Sequence, residues 1–112
     1  MQINLVKEYK AAWKQCVNSQ LLNDGELDHI EKVYQNLLDR SLENLDDLTM
    51  VLTAGKLRMS DDERLAMIDR IYNQMENKLQ FLRVYNNQTS MLLLGRTKER
   101  NDAKSIEKIY SK

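Results

Sequence analysis

Proline is absent from this chain of 112 residues, and glycine occurs only three times. Folds rich in β-turns draw on both residues, so their scarcity excludes a many-stranded sheet protein and leaves long helices. Cysteine occurs once, as Cys16, which excludes an internal disulfide and a cysteine-based zinc site. The single histidine, His29, has no second histidine to share a metal ion with. Net charge is zero, 17 basic against 17 acidic residues, without the basic excess of a general nucleic-acid binder. The apolar run Met91-Leu92-Leu93-Leu94 falls far short of a bilayer span, so no transmembrane segment is expected. The N-terminal MQINLVKEYK has no apolar export segment of signal-peptide length.

What the chain does contain is helix punctuation and apolar periodicity. Ser60-Asp61-Asp62-Glu63 reads as a capping box, with acidic residues at the positive end of a helix dipole. From there Leu65, Ile68, Tyr72, Met75, Leu79 and Leu82 recur at spacings of three and four, one continuous stripe on a long helix. The pattern predicts helix one over 3–22, with Val6, Tyr9, Trp13, Cys16 and Gln20 on one face and Leu5, Ala12 and Val17 widening it. Asn23-Asp24-Gly25 is expected to end it, with Asp24 capping the next helix. Helix two is expected over 26–54, with Leu27, Ile30, Tyr34, Leu37, Leu38, Leu42, Leu45, Leu48 and Leu52 on a broad apolar face and Gly55 as its stop. Helix three is expected over 60–100. Asn86 to Ser90 turn its stripe polar, which fits either a bend or a turn of exposed helix. Asn101-Asp102 reads as a further cap before a short helix over 102–110, with Ile106, Ile109 and Tyr110 on one side.

Helices two and three would each reach roughly 40 Å at about 1.5 Å per residue. A short connection between them makes antiparallel neighbours, and helix one can close the hairpin. The expected fold is all-α: an elongated antiparallel helical bundle of three main helices plus a short C-terminal helix, in one domain over residues 1–112.

No constellation points to catalysis. Cys16 lies on an apolar face with no activating neighbour and reads as a small buried hydrophobe. The carboxylates Glu43, Asp46 and Asp47 lie among leucines at helical spacing, as on a solvated face. Asp61, Asp62 and Glu63 already serve a helix start. No glycine-rich phosphate loop is present. An enzyme, a metal site and a cofactor are therefore not expected. Two surfaces remain. Four consecutive apolar residues cannot all face one core on a helix, so Met91, Leu92, Leu93 and Leu94 are candidates for a partner interface. Arg96, Lys98, Arg100, Lys104 and Lys108 make the C-terminal quarter locally basic, an alternative face for nucleic acid, though Glu99, Asp102 and Glu107 dilute it.

From Asp24 onward the chain resembles a conjugal-transfer protein family of Bacteroides-type conjugative transposons. The resemblance rests on Asp24-Gly25-Glu26-Leu27, Tyr34, Leu37-Leu38, Ser41, Leu45 and Asp47-Leu48. Its strongest block is Met59-Ser60-Asp61 with Glu63-Arg64, Asp69-Arg70, Tyr72 and Met75. Tyr85, Asn87, Leu94, Arg96, Lys98, Asn101-Asp102 and Ile109-Tyr110 complete it. The resemblance implies a non-enzymatic helical component of a type IV secretion apparatus that moves DNA between cells. Expected partners are other transfer-apparatus proteins or further copies of the chain. Members carry an export signal and a longer N-terminal helical region. With a signal removed the expected location is the cell envelope or periplasm, and without one the cytoplasm.

Overall fold

The computed structural model describes residues 2–53 and 58–110, and these are helical almost throughout. Three helices follow one another: α1 (Gln2–Ser19), α2 (Asp24–Thr53) and α3 (Asp61–Tyr110). They give an elongated body of 80 × 20 × 17 Å. Gly55 and its neighbours over 54–57, expected to end helix two, lie outside the described residues.

The helix ends follow local chemistry. Helix α1 stops at Ser19, earlier than the expected Leu22, because Gln20 takes a left-handed conformation (φ 57°). The Ser19 hydroxyl donates to the Cys16 carbonyl at 2.8 Å and accepts from the Leu21 N–H at 3.3 Å. Asn23-Asp24-Gly25 opens α2 and does not close α1. The cap is Asn23, not Asp24: its Oδ1 accepts from the Glu26 N–H at 2.8 Å, while its own N–H donates to Glu26 Oε1 at 3.1 Å. That is a full capping box. At α3, Ser60 Oγ accepts from the Glu63 N–H at 3.2 Å.

Helix α3 runs unbroken through Asn86–Ser90, which the sequence left open, and it corrects one expectation: it also runs through Asn101-Asp102, so there is no separate short helix over 102–110. Its hydroxyl residues are absorbed by the helix itself. Thr89 and Thr97 donate to the carbonyls of Tyr85 and Leu93, four residues back, at 3.0 and 2.8 Å.

Side-chain ties fix how the helices run. Between α2 and α3 the separation in sequence falls from 70 (Glu26–Arg96) to 52 (Tyr34–Asn86) to 34 (Asn44–Lys78). Residues advancing along α2 therefore meet residues receding along α3. By contrast, Arg83 reaches Glu8 and Arg96 reaches the Leu21 carbonyl, both across 75 positions. The α1 segment therefore follows α3 in the same direction, and Gln2 comes level with the turn near position 77.

Two apolar clusters hold this arrangement. The larger contains Leu5, Cys16, Ile30, Tyr34, Leu37, Leu79, Leu82 and Leu93, drawn from all three helices. The smaller contains Val51, Ile71 and Met75, from α2 and α3 alone. Between them sits a polar layer. Asn44 is buried, donates to Gln74 Oε1 at 2.7 Å and accepts from Lys78; Ser41 beside it is 1% exposed. The inward line of α2 is thus Leu27, Ile30, Tyr34, Leu37, Ser41, Asn44, Leu48 and Val51, alternating three and four. On α3, Ile71 is buried while Leu65 and Tyr72, read as core, are 58% and 55% exposed. Val17, Leu42 and Leu52 are likewise open. Ile68 is half-buried against the smaller cluster.

Burial separates the leucines of α3. Leu79→Ala is expected to lower unfolding free energy by about 2–5 kcal/mol, and Leu65→Ala to change it by no more than about 0.5 kcal/mol. Equal losses in urea denaturation would contradict the packing.

Candidate functional site

Helix α3 carries apolar residues on more sides than one. Its inner line ends at Leu93, which is 5% exposed and belongs to the larger core cluster. The expected four-residue partner face is therefore corrected: Leu93 is core, and only Met91, Leu92 and Leu94 are open. These three do not share a face, since successive residues on a helix point about 100° apart. Met91 lies about two turns beyond Val84 and Leu92 about three turns beyond Phe81, so both continue an outer line formed by those residues. Phe81 and Val84 were not singled out in the sequence. The signal was there: 81, 84, 88 and 91 repeat every three or four positions, a second stripe beside the core stripe.

This outer line borders a groove between α2 and α3, on the side of the hairpin away from α1. One part of it, about 550 Å³, has Val33, Leu37 and Phe81 as apolar lining. Lys32, Arg40 and Lys78 flank them with His29, and no carboxylate lines this part. A second recess continues the groove past Ile30 and Tyr85 to Leu92 and Leu22. At the opposite end, Asp39, Glu43 and Asp47 join Arg40 and Lys78. Phe81 stacks on Tyr85, with ring centroids 6.1 Å apart and planes within 13°, which presents a flat aromatic surface.

The cations of the groove differ in their partners. Lys32 pairs with Asp28 at 2.9 Å. Lys78 donates to the neutral Asn44 amide, and burial, with Arg40 nearby, lowers its pKa. A carboxylate arriving here would relieve both effects, because it favours the charged ammonium. Cys16 is buried in the core, 2% exposed, and burial raises its thiol pKa, the opposite of an activated nucleophile. Among the described residues no group of His, Cys, Asp or Glu is placed to hold a metal ion, and no helix is long and apolar enough to cross a membrane.

The basic C-terminal residues do not act as one face. Arg96 is withdrawn from it: its guanidinium grips both Glu26 oxygens at 2.7 Å and donates to the Leu21 carbonyl at 2.9 Å. This clamp ties α3 to the α1–α2 connection and to the cap of α2. Lys98, Arg100 and Lys104 are exposed, with Glu99, Asp102 and Glu107 between them; the side chain of Lys108 lies outside the described part.

No family model matches this chain, nor does any curated protein or solved structure.

The clamp has a pH signature. The Arg96 guanidinium, and then the Asn23 N–H, hold the Glu26 carboxyl at about 2, below its ordinary value of 4.5. A depressed carboxylate stabilises the fold fully above the ordinary value and loses that contribution as pH falls through the native one. Between pH 4.5 and about 2 the wild type should lose its stability advantage over Glu26→Gln. Thermal unfolding followed by circular dichroism reads this directly, and parallel curves for the two proteins would refute the clamp. At the neighbouring core position, Leu93→Asp should cost about 3 kcal/mol or more, while Leu92→Asp leaves the fold intact. Denaturant titration of both variants checks the division between core and surface.

Proposed function

We propose that this chain is a non-enzymatic helical docking component of a conjugative DNA-transfer apparatus of the type IV secretion kind. We read its architecture as an antiparallel three-helix bundle, a reading supported by the opposed pairing of α2 with α3. The observation that carries the docking role is the outer line Phe81, Val84, Met91 and Leu92 beside the α2–α3 groove. Large side chains left 44% to 63% exposed at helical spacing, along an inter-helix groove, fit an amphipathic helix laid into it. The apolar lining supplies anchors, and Lys32, Arg40 and Lys78 favour a partner helix with acidic flanks. Membership of the transfer apparatus rests on the resemblance around Met59–Met75 and Tyr85–Tyr110.

Photo-crosslinking from position 84 in donor cells tests the reading. The expected product joins this chain to an acidic helical segment of another transfer-apparatus protein. Phe81→Asp and Leu92→Asp should each weaken that association roughly tenfold or more, equivalent to about 1.4 kcal/mol per decade, with helicity retained. Retention on DNA at low salt, lost on substitution of Lys98, Arg100 and Lys104, would instead favour the nucleic-acid reading. Unchanged conjugation by the Phe81→Asp and Leu92→Asp variants would overturn the docking role.

A further inference from the structure

Along the α2–α3 groove the side chains change character in a fixed order. Three recesses follow one another, and each shares at least one residue with the next. The first, about 640 Å³, carries the carboxylates of Asp39, Glu43 and Asp47. Arg40 and Lys78 line both this recess and the middle one, where Val33, Leu37 and Phe81 form the apolar floor. The third, about 380 Å³, carries on past His29 to Ile30, Tyr85 and Leu92. The groove therefore reads anionic, then cationic, then apolar. Each recess falls within the roughly 300–1,000 Å³ of small-molecule sites.

The charges also differ in whether the protein has already matched them. Beside the apolar stretch, Lys32 pairs with Asp28 and Glu26 with Arg96. At the charged end, no ion pair among the described residues involves Asp39, Arg40, Glu43, Asp47 or Lys78. Lys78 donates to Asn44, and Asp39 accepts from Gln35; both partners are neutral amides. Charges of both signs thus line one recess without pairing with each other. A ligand of a single sign would be repelled by one of the two sets. A ligand carrying an anion for Arg40 and Lys78, and a cation beyond it for Glu43 and Asp47, satisfies both. Glu43 follows Arg40 by three residues, about 4.5 Å along the helix, which suits two ligand charges joined by a short bridge. From Arg40 back to Ile30 the groove runs about 15 Å, which an extended dodecyl chain spans.

We propose that this groove binds a single-chain zwitterionic amphiphile of the lysophospholipid class. The tail lies over Leu37, Phe81 and Ile30, the phosphate meets Arg40 and Lys78, and the terminal ammonium meets Glu43 and Asp47. Burial of the tail supplies most of the affinity, and the two charge sets select the order of charges in the head. The ligand is one molecule outside a bilayer, because the groove follows a single pair of helices. The inference goes beyond the docking role and does not rest on it; a bound tail would cover Phe81 and so compete with a partner helix.

Calorimetric titration of the full chain with two detergents, each below its micelle concentration, tests this. Dodecylphosphocholine carries its anion next to the tail and its cation outermost. A dodecyl sulfobetaine has the same tail and net charge with the order reversed. The wild type should bind one dodecylphosphocholine per chain, roughly tenfold or more tighter than the sulfobetaine. Arg40 and Glu43 are both exposed, so Arg40→Glu combined with Glu43→Arg should keep wild-type helicity. In that variant the preference should vanish or invert. Phe81→Asp should weaken both detergents alike. Equal affinity of the wild type for the two, or a preference that the charge exchange leaves unmoved, would overturn the proposal. So would retention on vesicles of diacyl phosphatidylcholine with no binding of the monomeric detergent. None of these failures touches the cross-linking from position 84, which tests the docking role separately.

Discussion

The whole arrangement turns on one buried phenol. Tyr34 is 3% exposed and stands where the three helices meet. Its ring lies 5.8 Å from that of Tyr9 on α1 and 5.9 Å from that of Tyr85 on α3, and its hydroxyl donates to Asn86 Oδ1 at 2.6 Å. Apolar packing alone would tolerate sliding α3 by a turn or a heptad. A buried hydroxyl without a partner costs about 1–3 kcal/mol, so this bond selects one register. Burial also raises the pKa of the phenol, which keeps the donor proton in place. Asn44, held by Gln74 and Lys78, repeats the device one cluster further along. A polar residue on an otherwise apolar seam exchanges some packing energy for a defined alignment.

From that fixed register the rest of the molecule grades outward. Where α1 lies alongside, three helices bury a continuous core. Where α1 has not yet begun, two helices bury only Val51, Ile71 and Met75. Where α2 has not yet begun, α3 stands alone. Each step away from Tyr34 leaves more apolar surface without an intramolecular neighbour. The Arg96–Glu26 clamp ties α3 to the α1–α2 connection.

The all-helical class and the three main segments were legible in the sequence, because apolar residues at three and four, few glycines and no proline leave little else. The Ser60 start was legible too, since a cap acts within one turn. What could not be read were choices made between distant segments. Leu65 and Tyr72 look identical to Met75 and Leu79 in spacing. They are open because α1 does not reach them, which is a matter of relative length and register. Asn44 looks like a surface residue until Gln74 and Lys78 partner it from α3. Arg96 reads as part of a basic run, and its partner lies 70 positions away. The polar stretch Asn86–Ser90 fitted either a bend or a turn of exposed helix, and the partner of Asn86, Tyr34, lies 52 positions away. In the candidate site, Met91 and Leu92 were found through their run of neighbours, whereas Phe81 and Val84 were hidden by the stronger core stripe beside them.

Because one side chain touches all three helices, it is also the most direct reporter. Through-space proton contacts from the Tyr34 ring, measured by nuclear magnetic resonance on the full chain, test the central claim. The account predicts contacts to Tyr9, Tyr85 and the Asn86 side-chain amide together. Contacts shifted to Lys78 or Leu93, or a folded chain in which Tyr34 meets α3 without Tyr9, would contradict it.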